Sequence, residues 1–132
     1  MIVVDASAIL SVLLREPGFE AHRAAITDET TRLVSAASVL ECSIRLFRLG
    51  GAVMERELDV FLDQFGLSCV DVDAAQLAAA RDAFRRYGKG TGHPAALNFG
   101  DCFSYALAKT RDLPLLFKGA DFAATDIRSA LA

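Results

Sequence analysis

Apolar positions along the chain fall into two rhythms. Ile2-Val3-Val4, Leu33-Val34-Ser35, Cys69-Val70-Asp71-Val72 and Leu113-Pro114-Leu115-Leu116-Phe117 are short runs bounded by polar residues, and they read as strands. Between them, apolar residues recur three and four apart. This spacing predicts helices over Ser7–Arg15, ended by Pro17-Gly18, and over Glu20–Asp28. Val39, Leu40, Ile44 and Phe47 mark a helix over Ala36–Leu49 that Gly50-Gly51 stops, and Leu58, Phe61, Leu62 and Phe65 renew the pattern over Val53–Phe65. Ala74–Tyr87 is rich in helix formers, Gly88 to Pro94 reads as a flexible loop, and Asn98 opens a helix to about Lys109. Pro114 is tolerated because it stands at the start of its strand.

Strands separated by helices imply parallel pairing through right-handed crossovers, hence a three-layer α/β/α fold with a mainly parallel central sheet. The 132 residues fit one domain, 1–132. A chain of this size buries roughly 65 to 70 % of its unfolded surface without staples. Hydrophobic residues at 53 % and charged residues at 23 % exclude a disordered chain. No apolar run approaches the roughly 20 residues that cross a bilayer, and no basic segment precedes a signal-like stretch, so a cytoplasmic location without a membrane partner is expected.

The polar residues narrow the chemistry. Cys42, Cys69 and Cys102 lack the spacing of a disulfide framework or zinc cluster, and His22 and His93 are too far apart to suggest a histidine site. Oxygen ligands are the better candidates. The net charge of −3 does not mark a general nucleic-acid binder. Locally, however, Arg81, Arg85, Arg86, Lys89, Lys109, Arg111 and Lys118 outnumber Asp82, Asp101 and Asp112. That stretch is suited to phosphates, or simply to a solvated helix face.

Four acids stand at element boundaries: Asp5 after the first strand, Glu41 and Asp101 on early helical turns, and Asp121 after the last strand. Each has an ordinary explanation. Asp5 and Ser7 suit a helix cap, Glu41 can pair with Arg45 one turn on, Asp101 suits a helix start, and Asp121 suits the cap of a C-terminal turn. Their joint placement adds weight, because a parallel sheet brings such positions to one edge. Unit charges about 4 Å apart repel by roughly 4 kcal/mol at an effective dielectric of 20, so a cluster needs a cation or a proton. Mg²⁺, or Mn²⁺ in its place, suits carboxylates and water.

In Val3-Val4-Asp5-Ala6-Ser7-Ala8, Ser38-Val39-Leu40-Glu41, Asn98 through Ala108 and Leu115 through Phe122, the chain resembles the PIN-domain ribonucleases, specifically the VapC toxins of toxin–antitoxin pairs. The resemblance covers nearly the whole length. It implies a PIN-like fold and a Mg²⁺-dependent endoribonuclease with Asp5, Glu41 and Asp101 as metal-site acids and Asp121 as the fourth. Many relatives carry an acid where this chain has Gly119, and Asp126 is a further supporting candidate. Ser7 holds the family's hydroxyl position. The resemblance also implies an RNA substrate, with tRNA and rRNA as candidates, a homodimer, and a VapB-like antitoxin that masks the site. Arg85, Arg86, Lys89 and Lys118 are candidates for contacts to the RNA backbone.

Two other classes remain to be weighed. A non-catalytic α/β interaction module would use the same acids as helix caps and bind no metal. An aspartyl-phosphate phosphatase or receiver-like domain also places an Asp after its first strand, but the phosphatase pattern expects a second Asp where this chain has Ser7.

Overall fold

A computed structural model describes residues 1–131. The elements are β1 (Ile2–Val4), α1 (Ala6–Leu13), α2 (Phe19–Thr27), β2 (Arg32–Ser35), α3 (Ala36–Gln64), β3 (Leu67–Val70), α4 (Ala74–Tyr87), α5 (Phe99–Arg111) and β4 (Leu115–Leu116), followed by a 3₁₀ turn at Phe122–Ala124. All strands pair in parallel, in the order β3-β2-β1-β4. β1 is therefore central, and Ile2, Val3 and Val4 are essentially fully buried.

The pleat of β1 divides the core. Ile2 and Val4 join Ile9, Ile26, Leu46 and Leu58 from the first three helices, whereas Val3 joins Ala83, Tyr105 and Leu107 from α4 and α5. Helices thus cover both faces, which is the α/β/α layering the sequence predicts. The strand order also reverses direction at β1. Its successor β2 lies on one side and β4 on the other, so a crevice opens beyond the C-terminal ends of β1 and β4.

Several boundaries differ from the sequence expectation. β3 begins earlier, at Leu67, and ends at Val70, and the last strand shrinks to Leu115–Leu116. Pro114 has no N–H to give the ladder, and the Lys118 N–H turns away to the Ser7 hydroxyl. α3 runs through Gly50-Gly51, but Gly51, at φ 68° and ψ −156°, breaks it into two helical segments. The glycine-rich loop is pinned: Lys89 N–H donates to Leu97 at 2.8 Å and the Thr91 hydroxyl to Gly88 at 2.7 Å. Among the described residues, no helix is long and apolar enough to cross a membrane.

Candidate active site

Asp5 leaves β1 at the crevice and caps α1. Its Oδ2 accepts from the Ser7 N–H at 3.0 Å and from the Ser7 hydroxyl at 2.6 Å. The Ser7 hydroxyl accepts in turn from the Lys118 N–H at 2.9 Å, which ties the exit of β1 to that of β4. The other oxygen, Oδ1, accepts from the Ser104 hydroxyl of α5. Ser104 meets Ser38 of α3 at 3.1 Å. The cap predicted for Asp5 is real, and the same contacts immobilise a carboxylate that is only 4 % exposed.

Glu41 and Asp101 come from the opening turns of α3 and α5. Asp101 sits in a reciprocal cap: its Oδ2 accepts from the Asn98 N–H at 3.0 Å while Asn98 Oδ1 accepts from the Asp101 N–H at 2.9 Å. α5 approaches Glu41 so closely that a Cβ on Gly100 would lie 2.6 Å from Glu41 Oε1. Beside Glu41 a cavity of about 520 Å³ is walled by Leu40, Ile44, Phe99 and Phe103. Glu41 therefore reaches solvent at one side and hydrocarbon at the other.

The acids feel one another. Partial burial, then the charges of Asp5 and Asp101, push the Glu41 carboxyl up to about 7. Burial lifts Asp101 to about 6 against the lowering bond from Asn98, and the charges of Asp5 and Asp121 add to the rise. Asp121 is exposed and makes no side-chain capping bond to its turn, so its carboxylate is uncommitted there. Burial holds the Cys42 thiol far above its ordinary range, which removes it as a thiolate ligand.

The donors that remain are all oxygens, and a hard divalent cation would offset the burial and, secondarily, the repulsion that raise Glu41 and Asp101. Among the described residues, no three acidic, histidine or cysteine side chains already form a cage for an ion. A magnesium-type ion does not require one, because it keeps several waters and takes only one or two carboxylates directly. The residues fit such a group.

The remaining sequence candidates divide. Asp126 is engaged elsewhere, accepting from the Tyr105 hydroxyl and Lys109 Nζ at 2.7 Å each. Arg86 belongs to the same cluster, bonding the Tyr87 hydroxyl at 2.8 Å and lying 4.0 Å from Asp126. Lys118 pairs with Glu16 at 3.3 Å. Arg85 and Lys89 are exposed. The sequence reading missed Ser38, Ser104 and Gly100. The signal for the serines was a small polar residue three positions from each helical acid.

A PIN-domain family profile matches residues 2–128. Ribonuclease VapC of Mycolicibacterium smegmatis is 49 % identical over 125 residues, covering 95 % of this chain and 96 % of that protein. Among solved structures, Mycobacterium tuberculosis VapC20, a sarcin-ricin loop cleaving toxin, superposes with a TM-score of 0.77 at 17 % identity over 96 % of both chains. VapBC2 from Rickettsia felis, bound to a DNA fragment from its promoter, gives 0.72 at 13 % identity over 93 % of this chain and 91 % of that one.

Proposed function

This chain belongs to the PIN-domain family, among its VapC ribonucleases, and from that premise we propose that it cuts RNA at the edge formed by Asp5, Glu41 and Asp101, with Asp121 as the fourth acid. The reaction is endonucleolytic hydrolysis of a phosphodiester. The observation that supports the site assignment is the convergence of the acids on one edge: α5 brings Gly100 against the Glu41 carboxylate, and burial together with the charge of Asp5 raises both Glu41 and Asp101. Acids whose purpose is only to cap helices have no need to share an edge.

Asp5, Glu41, Asp101 and Asp121 would hold Mg²⁺, or Mn²⁺ in its place. When bound, such an ion supplies Lewis acidity at the phosphoryl oxygen and lowers the pKa of water. The chain's own residues prepare the site for it. Ser7 fixes Asp5 Oδ2, the Asn98 cap fixes Asp101, and Leu40 and Phe99 line an apolar wall beside Glu41. Arg85 and Lys89, both exposed, are the candidates for contacts to the RNA backbone; Arg86 is engaged by Asp126 and Tyr87, and Lys118 would have to exchange its pairing with Glu16 for a phosphate. A VapB-like antitoxin, a homodimeric state and a cytoplasmic location accompany this reading, the first supported by the fold shared with VapBC2.

The test is calorimetric titration of Mn²⁺ into the purified chain, alongside RNA cleavage. Binding at millimolar affinity or tighter is expected in the parent. Asp5→Asn and Asp101→Asn should lose it, and cleavage with it, by more than about 100-fold, since even outer-shell partners of metal ligands are worth 10- to 100-fold. Unchanged Mn²⁺ binding in both variants sinks the shared site and favours the non-catalytic module.

A further inference from the structure

Each helix that carries a site acid also carries a buried serine one turn from it. Ser38 precedes Glu41 by three residues on α3, and Ser104 follows Asp101 by three on α5, so each shares its acid's helix face. Both are buried, at 1 % and 0 % exposure. They meet each other at 3.1 Å, and Ser104 also reaches Asp5 Oδ1. One short chain of hydroxyls therefore joins the three elements that supply Asp5, Glu41 and Asp101.

Proton counting fixes its direction. An ionised carboxylate only accepts, so Ser104 donates to Asp5; a serine has one hydroxyl proton, so Ser38 donates to Ser104. A carboxylate offers about four acceptor sites, two on each oxygen. Both on Oδ2 are taken by the Ser7 N–H and hydroxyl, and one on Oδ1 by Ser104. A single acceptor site is left, on Oδ1.

We propose that Ser104, backed by Ser38, is a positioning residue that sets the rotation of the Asp5 carboxylate and reserves one Oδ1 acceptor site for the divalent cation. The inference rests on the metal-site reading above and specifies which oxygen of Asp5 serves it. Ser104 touches neither RNA nor cation and acts through Asp5.

The experiment compares Ser104→Ala, Ser38→Ala and Ser11→Ala with the parent by Mn²⁺ calorimetry, thermal unfolding and steady-state RNA cleavage. Ser11 is the control, a fully buried serine bonded to His22 at 2.8 Å on the α1–α2 side. Ser104→Ala is expected to weaken Mn²⁺ binding and lower kcat by about 10- to 100-fold with KM for RNA unchanged, as loss of an outer-shell partner does. Ser38→Ala should move both in the same direction by less, and it decides the matter if Ser104→Ala does not fold. Ser11→Ala should lower Tm alone. The proposal is overturned if the folded Ser104 or Ser38 variants lose Tm as Ser11→Ala does while Mn²⁺ affinity and kcat stay within about twofold of the parent. Mn²⁺ binding retained by Asp5→Asn overturns the metal site itself, whatever the serines do.

Discussion

One helix, α5, holds two carboxylates in opposite ways. At its first turn Asp101 is lifted to about 6 by burial and by the charges of Asp5 and Asp121. Farther along, Tyr105 and Lys109 grip Asp126 at 2.7 Å each, with Arg86 at 4.0 Å. Burial opposes the ionisation of Asp126 too, but the hydrogen bonds from Lys109 and Tyr105 prevail and hold its carboxyl below the usual range. An acid that serves packing arrives with its cation. The acids of the crevice arrive with one another, and that difference is what the proposed cation site rests on.

The sharpest way to break this contrast is to move one crevice acid without touching its charge. An added Cβ at Gly100 would lie 2.6 Å from Glu41 Oε1 and 3.0 Å from its Cδ, so Gly100→Ala must displace the Glu41 carboxylate. The flexible side chain yields at little cost, and alanine gains up to about 1 kcal/mol over glycine in a helix. The variant should therefore unfold no earlier than the parent yet cleave RNA about 10- to 100-fold more slowly, the scale of a misplacement near 1 Å. Cleavage at the parental rate would mean that the position of Glu41 is immaterial.

A second prediction concerns pH. Glu41 and Asp101, raised to about 7 and about 6, bind protons more tightly in the folded chain than in the unfolded one. Their protonation stabilises the fold fully below the ordinary carboxylate pKa, and this contribution disappears as pH rises through 6 to 7. Without metal, Tm should fall between about pH 5 and pH 8, and Mn²⁺ should restore it at the upper end and do little at the lower. Asp126 contributes with the opposite sign, since its depressed pKa makes its share present at neutral pH and lost on acidification. Thermal scans of Glu41→Gln should show a blunted alkaline loss. An undiminished loss would place its origin outside the crevice.

How much of this was legible in the sequence depended on the range of the interaction. α4 emerges at Ala74–Tyr87, as its composition predicts, because both ends are local: Asp73 caps the Gln76 N–H at 2.8 Å and Gly88 follows the last turn. β4 is shorter than its apolar run because the Lys118 N–H is claimed by Ser7, 111 positions away. The loop after Tyr87 reads as flexible from its glycines, yet Leu97 ties it down. At the crevice, strand ends and helix starts pointed to Asp5, Glu41, Asp101 and Asp121. Ser104 lies 99 positions from Asp5, and nothing local in the chain announces that bond. Asp126 shows the converse, an acid near the right segment that in this structure is engaged by Tyr105 and Lys109 of another element.

The smallest effect tests that second acid. Asp126→Asn removes the charge that Lys109 and Arg86 approach and weakens the acceptor for Tyr105 without emptying the space. Lys109 is half exposed and its ion pair is open to solvent on one side, so the pair itself is worth no more than about 1 kcal/mol. The Tyr105 hydroxyl is the costlier partner, because burial and its bond to Asp126 raise its pKa and the ring is almost wholly enclosed. Asparagine still offers it a carbonyl oxygen, so denaturant unfolding should show a loss near 1 kcal/mol. Mn²⁺ affinity and RNA cleavage should remain those of the parent. A variant that kept its stability but lost Mn²⁺ binding would transfer Asp126 to the crevice and erase the division between acids that pack and acids that wait for a cation.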